Sequence, residues 1–512
     1  MAAPQGRRGA STSLGLALGY AVGVGIVSAG TQAILAVAAQ EVCERGGGNR
    51  TSAAFCDQRS TDVVSGYILT YSAFGVVGAF LADTRFGHAR TQLLSAVLWL
   101  AGLLLLSIAV QHLFGKQLGG DGAGDSMSLV AAAITAAAFG AGWSTLSVFA
   151  GHQMPSENRT FWFSMLYIAL NVGDLIAEAG CPLIRQHFGV STVAWALTVV
   201  LGVSVMIFCA GYRGYVKPSL ILIADEDGNG VSSTSNEPYH LLEGSGGDGK
   251  DSNAFGSGEN VRCDAAMLAA ASIAATTTAA GTTSTVAVLW RTVRIFAALP
   301  FYFALFYQQS DTWTFQAQAL DRNIFGGRFI IPADAMPAVD DVLVIIFLPV
   351  LTRWCIPSTR RCCGRGACRP IQRLTLALIF VALAFLCAGL LQHAMLSATV
   401  PLTIWWQIPQ YVCVSAAEAF CGATGLEFAY NEALPKYRAL VTSLWFLAAA
   451  LGQAMLLALP RLFPLLASTA EVPCEFYFAC AGVMAVVLVC FFAVSHNYEY
   501  RHPSYRDCDA VG

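Results

Sequence analysis

The sequence predicts an all-α membrane protein whose twelve spanning helices fall into two sets of six. Three observations lead there. The 512 residues are 56% hydrophobic and only 12% charged, whereas soluble chains carry roughly 25% charged residues, and mean hydropathy is +0.58. Apolar runs of about 20 residues, the length that crosses a bilayer, recur along the whole chain. One polar insert, residues 213–293, divides those runs evenly.

The first run, 12–39, exceeds the roughly 7–15 residues of a signal-peptide core, so it is expected to remain as the first span. Runs at 62–82, 91–112, 127–150, 161–181 and 190–212 complete the first set, giving a unit over 1–212. Residues 213–293 read as a cytosolic linker, mostly disordered, because Gly, Ser, Asp, Glu and Asn dominate most of it. Its Ala/Thr-rich part, 264–288, has little insertion energy, and an odd extra crossing there would invert the second set against its charges. The runs at 295–319, 335–352, 373–396, 403–428, 438–460 and 476–495, with a short cytosolic tail, form the unit over 294–512.

Lys and Arg fix the orientation. With the N-terminus inside, Arg85, Arg90, Arg159, Lys436, Arg438 and the basic run from Arg353 to Arg373 all face the cytosol. The outer loop after the first span then holds Cys43 and Cys56 around Asn49-Arg50-Thr51, a glycosylation acceptor, and a disulfide there is compatible with an oxidising compartment. In the linker, Glu237, Leu241 and Leu242 have the spacing of an acidic dileucine signal for a sorting adaptor. The cluster Cys355, Cys362, Cys363 and Cys368 has no standard zinc spacing and no His, so no metal is expected; palmitoylation beside the membrane suits it better, and unmodified cysteine better still. No cofactor motif, phosphate loop or nucleophile elbow occurs, so an enzyme is not expected. A net charge of −3 gives no reason to expect nucleic acid.

Charge at the bilayer centre costs at least about 2.5–3.5 kcal/mol, so ionisable residues in spans are candidates for function. They are Asp174 and Glu178 in span five, Asp311 in span seven, Asp340 and Asp341 entering span eight, and Glu418 in span ten. Each has a plainer reading. Asp340 and Asp341 suit a helix start, Glu178 lies near a wet end, and Asp311 has Gln308 and Ser310 for partners. Glu418 resists such a reading, with a dozen or so residues of span on either side, and suits a group that takes and releases protons.

Between spans two and three, "GAFLADTRFGHAR" resembles the loop signature of the major facilitator superfamily. Gly78 and Gly87 allow close approach and a tight turn, Asp83, Arg85 and Arg90 can form a charge relay, and His88 stands where Lys or Arg is usual. Span five, "FWFSMLYIALNVGDL", resembles the proton-dependent oligopeptide transporter family through Tyr167, Asn171 and Gly173. Span seven, "LFYQQSDTWTFQAQAL", follows it through Gln308, Gln309, Trp313 and Gln316, and span ten through "WWQIPQY" and "GLEFAYNEA". Asp340 in "DDVLVIIFLP", the Trp405-Trp406 pair and the tail "NYEYRHPSYRD" lean toward its peptide/histidine branch.

The resemblance implies two six-helix bundles rocking about a central cavity. It implies that Glu418 faces a substrate amino group with Asn171 and Asp340 nearby, and that Tyr167, Gln309 and Trp445 line side-chain pockets. The expected activity is alternating-access, proton-coupled transport of di/tripeptides or histidine-like solutes, with protons, the solute and membrane lipid as partners. An endosomal or lysosomal membrane is favoured, with the plasma membrane as the alternative.

Two positions depart from the family pattern. The first span, "LGLALGYAVGVGIVSAGTQAILAVA", lacks the family's Glu-x-x-Glu-Arg cluster, and Trp143 and His152 stand where span four usually has Lys and Asp. Asp174 and Glu178, spaced i,i+4, are therefore candidates with Glu418 for proton coupling. The alternatives are a transporter-like solute sensor or scaffold, or an uncoupled facilitator of an amine or other small solute.

Overall fold

A computed structural model of the protein describes residues 5–45, 53–115, 123–155, 159–217, 290–310, 312–324, 329–364, 368–462 and 472–500. Asn49, the dileucine signal, most of the insert and Asp311 lie outside these residues. Cys43 is disulfide-bonded, as the outer-loop reading allows.

The first set is six helices: α1 (Gln5–Arg45), α2 (Ala53–Leu81), α3 (His88–Gly115), α4 (Ala123–Gln153), α5 (Arg159–Phe188) and α6 (Val190–Gly211). Residue pairs join α1 to α5 and α6, α2 to α4, and α3 to α4 and α6, which closes a bundle. Its lipid-facing side stays apolar, with Leu98 and Val199 exposed, because a bilayer solvates such surfaces.

Among the described residues, eleven of the twelve expected spans contain a helical stretch long and apolar enough to cross a membrane. The run at 295–319 differs, being broken. Residues 290–296 are helical, α7 (Leu299–Phe306) follows, then a 3-10 turn (Tyr307–Ser310) and α8 (Thr312–Ala319). Pro300 suits a fresh helix start, and at the break the Thr312 and Thr314 hydroxyls donate to the Gln308 and Gln309 carbonyls, side-chain competition that disfavours a regular helix. Interrupted helices are tolerated in membranes where they line a cavity, and this one does.

The second set continues with α9 (Ala338–Val350), α10 (Ile356–Cys363), α11 (Pro370–Ser397), α12 (Ile408–Glu432), α13 (Arg438–Leu462) and α14 (Cys474–Ser495). One π-helical turn, Leu351–Cys355, joins α9 to α10 two residues after Pro349, a break expected where proline removes a backbone donor. Here α11 packs on α12 and α14, and α7 on α13. A two-stranded hairpin pairs Asn323–Ile324 with Phe329–Ile330, and an isolated bridge joins Asp321 to Thr403. The bundles meet along α2 with α13, and along α5 with α9 and α12.

Candidate functional site: a carboxylate-lined central cavity

Tyr167, Asn171, Asp174 and Glu178 recur on α5 at three- and four-residue steps, so one helix face carries all four. That face meets α12 at Glu418. The Tyr167 hydroxyl donates to Glu418 Oε1 at 2.7 Å, joining the two bundles. Gly422, one turn along α12, makes this possible, since a Cβ there would collide with the Tyr167 ring. Glu418 is 7% exposed.

From the second bundle, Gln309 lies in the broken span and donates through Nε2 to Asp340 Oδ2 at 2.9 Å. Trp445 packs edge-on to Phe303 with ring centroids 5.3 Å apart. Tyr167, Gln309, Asp340, Glu418 and Trp445 all line one cavity of about 510 Å³, and Asp174 and Glu178 line it too. Asn171 departs from expectation: it is buried and donates to the Tyr167 carbonyl at 2.9 Å, so its amide braces α5 itself.

The cavity reaches helix ends at Ser60, Arg185, Val190 and Leu456. These ends lie opposite the face that carries Arg85, Arg90, Lys436 and Arg438. At the mouth, Arg185 pairs with Asp334 at 3.2 Å, both partly exposed. Trp143 also lines the wall, its ring 5.1 Å from Phe139 and 5.5 Å from Phe446. Among the described residues, no Lys or Arg from α1 to α4 lines the cavity.

The basic face is shut. Asp83, in the π-helical turn Ala82–Phe86 after α2, accepts backbone N–H groups of Ala439 at 3.3 Å and Leu440 at 2.9 Å. A carboxylate at the start of α13 suits the helix dipole. The relay expected among Asp83, Arg85 and Arg90 takes another form: His88 Nε2 meets Asp83 Oδ1 at 3.0 Å, while Arg85 and Arg90 are exposed. The Asp83 carboxylate is already met by His88 and the two backbone N–H groups. Gly87 adopts φ 75°, which only glycine takes up freely, and a Cβ at Gly78 would strike Ala141 of α4.

Sequence reasoning left a second seal unread. Glu427 of α12 accepts from Thr160 of α5 at 2.7 Å and from Arg373 of α11 at 3.0 Å. Both charged side chains of that pair are 2% exposed. The signal was available, because Arg373 and Glu427 are opposite charges inside neighbouring apolar runs, and buried charges need partners. Beside them, Tyr430 meets His152 Nδ1 at 3.4 Å and lies under the Arg438 guanidinium, 4.6 Å from the ring. Asp341, a candidate in the sequence with a helix start as its plainer reading, also lines the cavity.

Two helical bundles, a solute-sized cavity at their meeting and a seal at one face define a polytopic membrane protein of the two-bundle class. The POT family model matches residues 89–227 and 248–470, well over half of the chain, and the chain belongs to the POT family. It is 28% identical over 347 residues to Peptide transporter family 1 of Drosophila melanogaster, covering 65% of this chain and 42% of that protein. It is 26% identical over 437 residues to Protein NRT1/PTR family 8.2 of Arabidopsis thaliana, covering 76% of each. The chain thus spans less than half the length of the Drosophila relative and about three quarters of the plant one. The crystal structure of an auto-inhibited POT family peptide transporter superposes with a TM-score of 0.69 at 21% identity, covering 96% of this chain and 99% of that one. The POT family transporter PepTSo gives 0.67 at 18% identity, covering 95% and 98%.

Proposed function

We propose that this protein is a secondary transporter of peptide- or histidine-like solutes that works by alternating access and couples to protons at Glu418. The observation that carries this reading is the Tyr167–Glu418 hydrogen bond in the cavity between the bundles. A solute ammonium or a proton taken up by Glu418 competes with the Tyr167 hydroxyl for the same oxygen. Loading the site therefore alters a contact that holds the bundles together, the differential interaction any ligand-driven switch requires. Asp340 and Gln309 support the amino-group end, Trp445 supplies an apolar wall, and Asp174 and Glu178 extend the proton path toward the mouth. Gly78, Asp83, Arg85, Gly87 and Arg90 govern closure at the basic face. Two solved neighbours hold alafosfalin and 5-aminolevulinic acid, each bearing an amino group, which agrees with a site for small amines.

The loops place the basic face in the cytosol, so this state loads from the lumen or the exterior. We assign the protein to an endosomal or lysosomal membrane on its dileucine signal, with Asn49 glycosylated on the lumenal side. Uptake of labelled dipeptide and of histidine into proteoliposomes, with the outside more acidic, tests the reading. The expected result is accumulation that falls at least about tenfold in Glu418→Gln, as loss of a buried charge contact implies. No accumulation of either solute, with Glu418→Gln matching the parent, overturns it.

A second reading follows from the uncharged α1 wall and from Trp143: a solute sensor with little flux. It predicts thermal stabilisation by ligand without transport, and flux through the purified protein excludes it.

A further inference from the structure

The charge lining the cavity is one-sided. Six carboxylates face it: Asp174, Glu178, Asp334, Asp340, Asp341 and Glu418. Against them stands Arg185 alone among the described lining residues, and it is paired with Asp334 at the mouth. The unpartnered atoms point the same way. Asp340 Oδ1, Asp341 Oδ2, Glu178 Oε2 and Gln309 Oε1 are buried without a hydrogen-bond partner. Asp340 is 3% exposed, Gln309 5% and Asp341 8%. All four are carboxylate or amide oxygens that need donors, and buried acceptors are costly to leave unmet. Ammonium and guanidinium groups supply donors and charge together. A solute carboxylate would meet the opposite: like charge, a Trp143 ring where a cation would be needed, and no free basic side chain among the described residues lining the wall.

We propose that this cavity selects solutes of net positive charge, such as amines, guanidines, and peptides whose C-terminal carboxylate is masked or outweighed by basic side chains, over neutral zwitterions. The inference takes its site from the transporter reading, but its chemistry stands on the lining alone. One ammonium pairs with Glu418 beside Tyr167, as in the reading above. The second positive group goes toward Asp341 and Glu178, whose oxygens are open, instead of a carboxylate going toward the first bundle. Trp143 then offers its ring face to a cation rather than a charge to an anion.

Binding to the purified full-length protein tests this by calorimetry at fixed salt and pH. The probes form a charge series on one backbone: N-acetyl-alanyl-alanine, alanyl-alanine, alanyl-alanine amide and lysyl-alanine amide. Affinity is expected to rise in that order, with the neutral-to-cationic step at least about tenfold. Asp341→Asn is expected to flatten the upper end of the series, and Trp143→Lys to raise the affinity for alanyl-alanine relative to its amide. A flat series, tightest binding by alanyl-alanine, or no binding by any probe overturns the proposal. The first of these also means that the carboxylates serve protons only. A protein that binds the series in the expected order yet moves nothing across a bilayer refutes transport and leaves this selectivity standing.

Discussion

The two faces of the molecule hold the bundles together in different ways. At the basic face the contacts that cross between the bundles go to buried carboxylates: Asp83 takes backbone N–H groups at the start of α13, and Glu427 accepts from Thr160 while Arg373 holds it from within the second bundle. At the opposite face, among the described residues, one ion pair, Arg185–Asp334, spans the cavity mouth with both partners partly exposed. Hydrogen bonds to a buried charged group contribute about 1.5–3 kcal/mol each, whereas exposed ion pairs contribute little. The closed face is therefore where opening must be driven, and the mouth is where the molecule yields easily. A solute at Glu418 acts between the two.

Arg373→Met breaks that contrast most severely. It strips the guanidinium from the fully buried Glu427 carboxylate, and the expected loss is about 3–5 kcal/mol. Thermal unfolding in detergent reads it, and adding Glu427→Gln should recover part of the loss, since the second change removes the stranded charge. No loss in the single variant would mean that the basic face does not depend on this pair. Asp83→Ala comes next, at about 1.5–3 kcal/mol for hydrogen bonds to a charged group. Its signature is conformational: a cysteine placed at Leu440 should become reactive to thiol reagents from the basic side, and an unchanged rate contradicts the latch.

Gly422→Ala sharpens the comparison at the midpoint. The added methyl forces the Tyr167 ring away from Glu418, and overpacking of this kind costs about 1–3 kcal/mol. Solute affinity should weaken more than thermal stability, and equal effects on both would argue for a packing role alone. The smallest expected effect is Arg185→Gln, below about 1 kcal/mol for an exposed pair. It should leave unfolding unchanged and slightly speed labelling inside the cavity from the mouth side. A large destabilisation would make the two faces more alike than their burial indicates.

Glu418 shows what could be read in advance. A lone carboxylate in the middle of an apolar run has few physical uses, so its position alone marked it. Asp340 and Gln309 could be marked too, because their helices carry polar groups where lipid would not tolerate them. The break in span seven was legible only in part: Pro300 and the polar stretch Gln308-Gln309-Ser310 stand in the sequence, but where the helix divides was set by the backbone geometry at Tyr307–Ser310. The partner of Asp83 was not legible. Arg85 and Arg90 are nearer in sequence than Leu440, yet the partner came from a helix more than 350 residues away. The bond made by the Asn171 amide was not legible for a related reason, as periodicity gives a face of a helix but not which residue on it turns back to the backbone.

The sequence by itself determined the bilayer as solvent, the count and order of the crossings, and which crossings carry charge. Those follow from transfer free energy and length, which are local properties of each segment. The tertiary structure alone decided which charges meet and which stand open. It brought Tyr167 to Glu418, set Arg373 against Glu427, and left oxygens of Asp341 and Glu178 without donors. Electrostatics depends on distance and burial, and neither is fixed until helices far apart in the chain have packed.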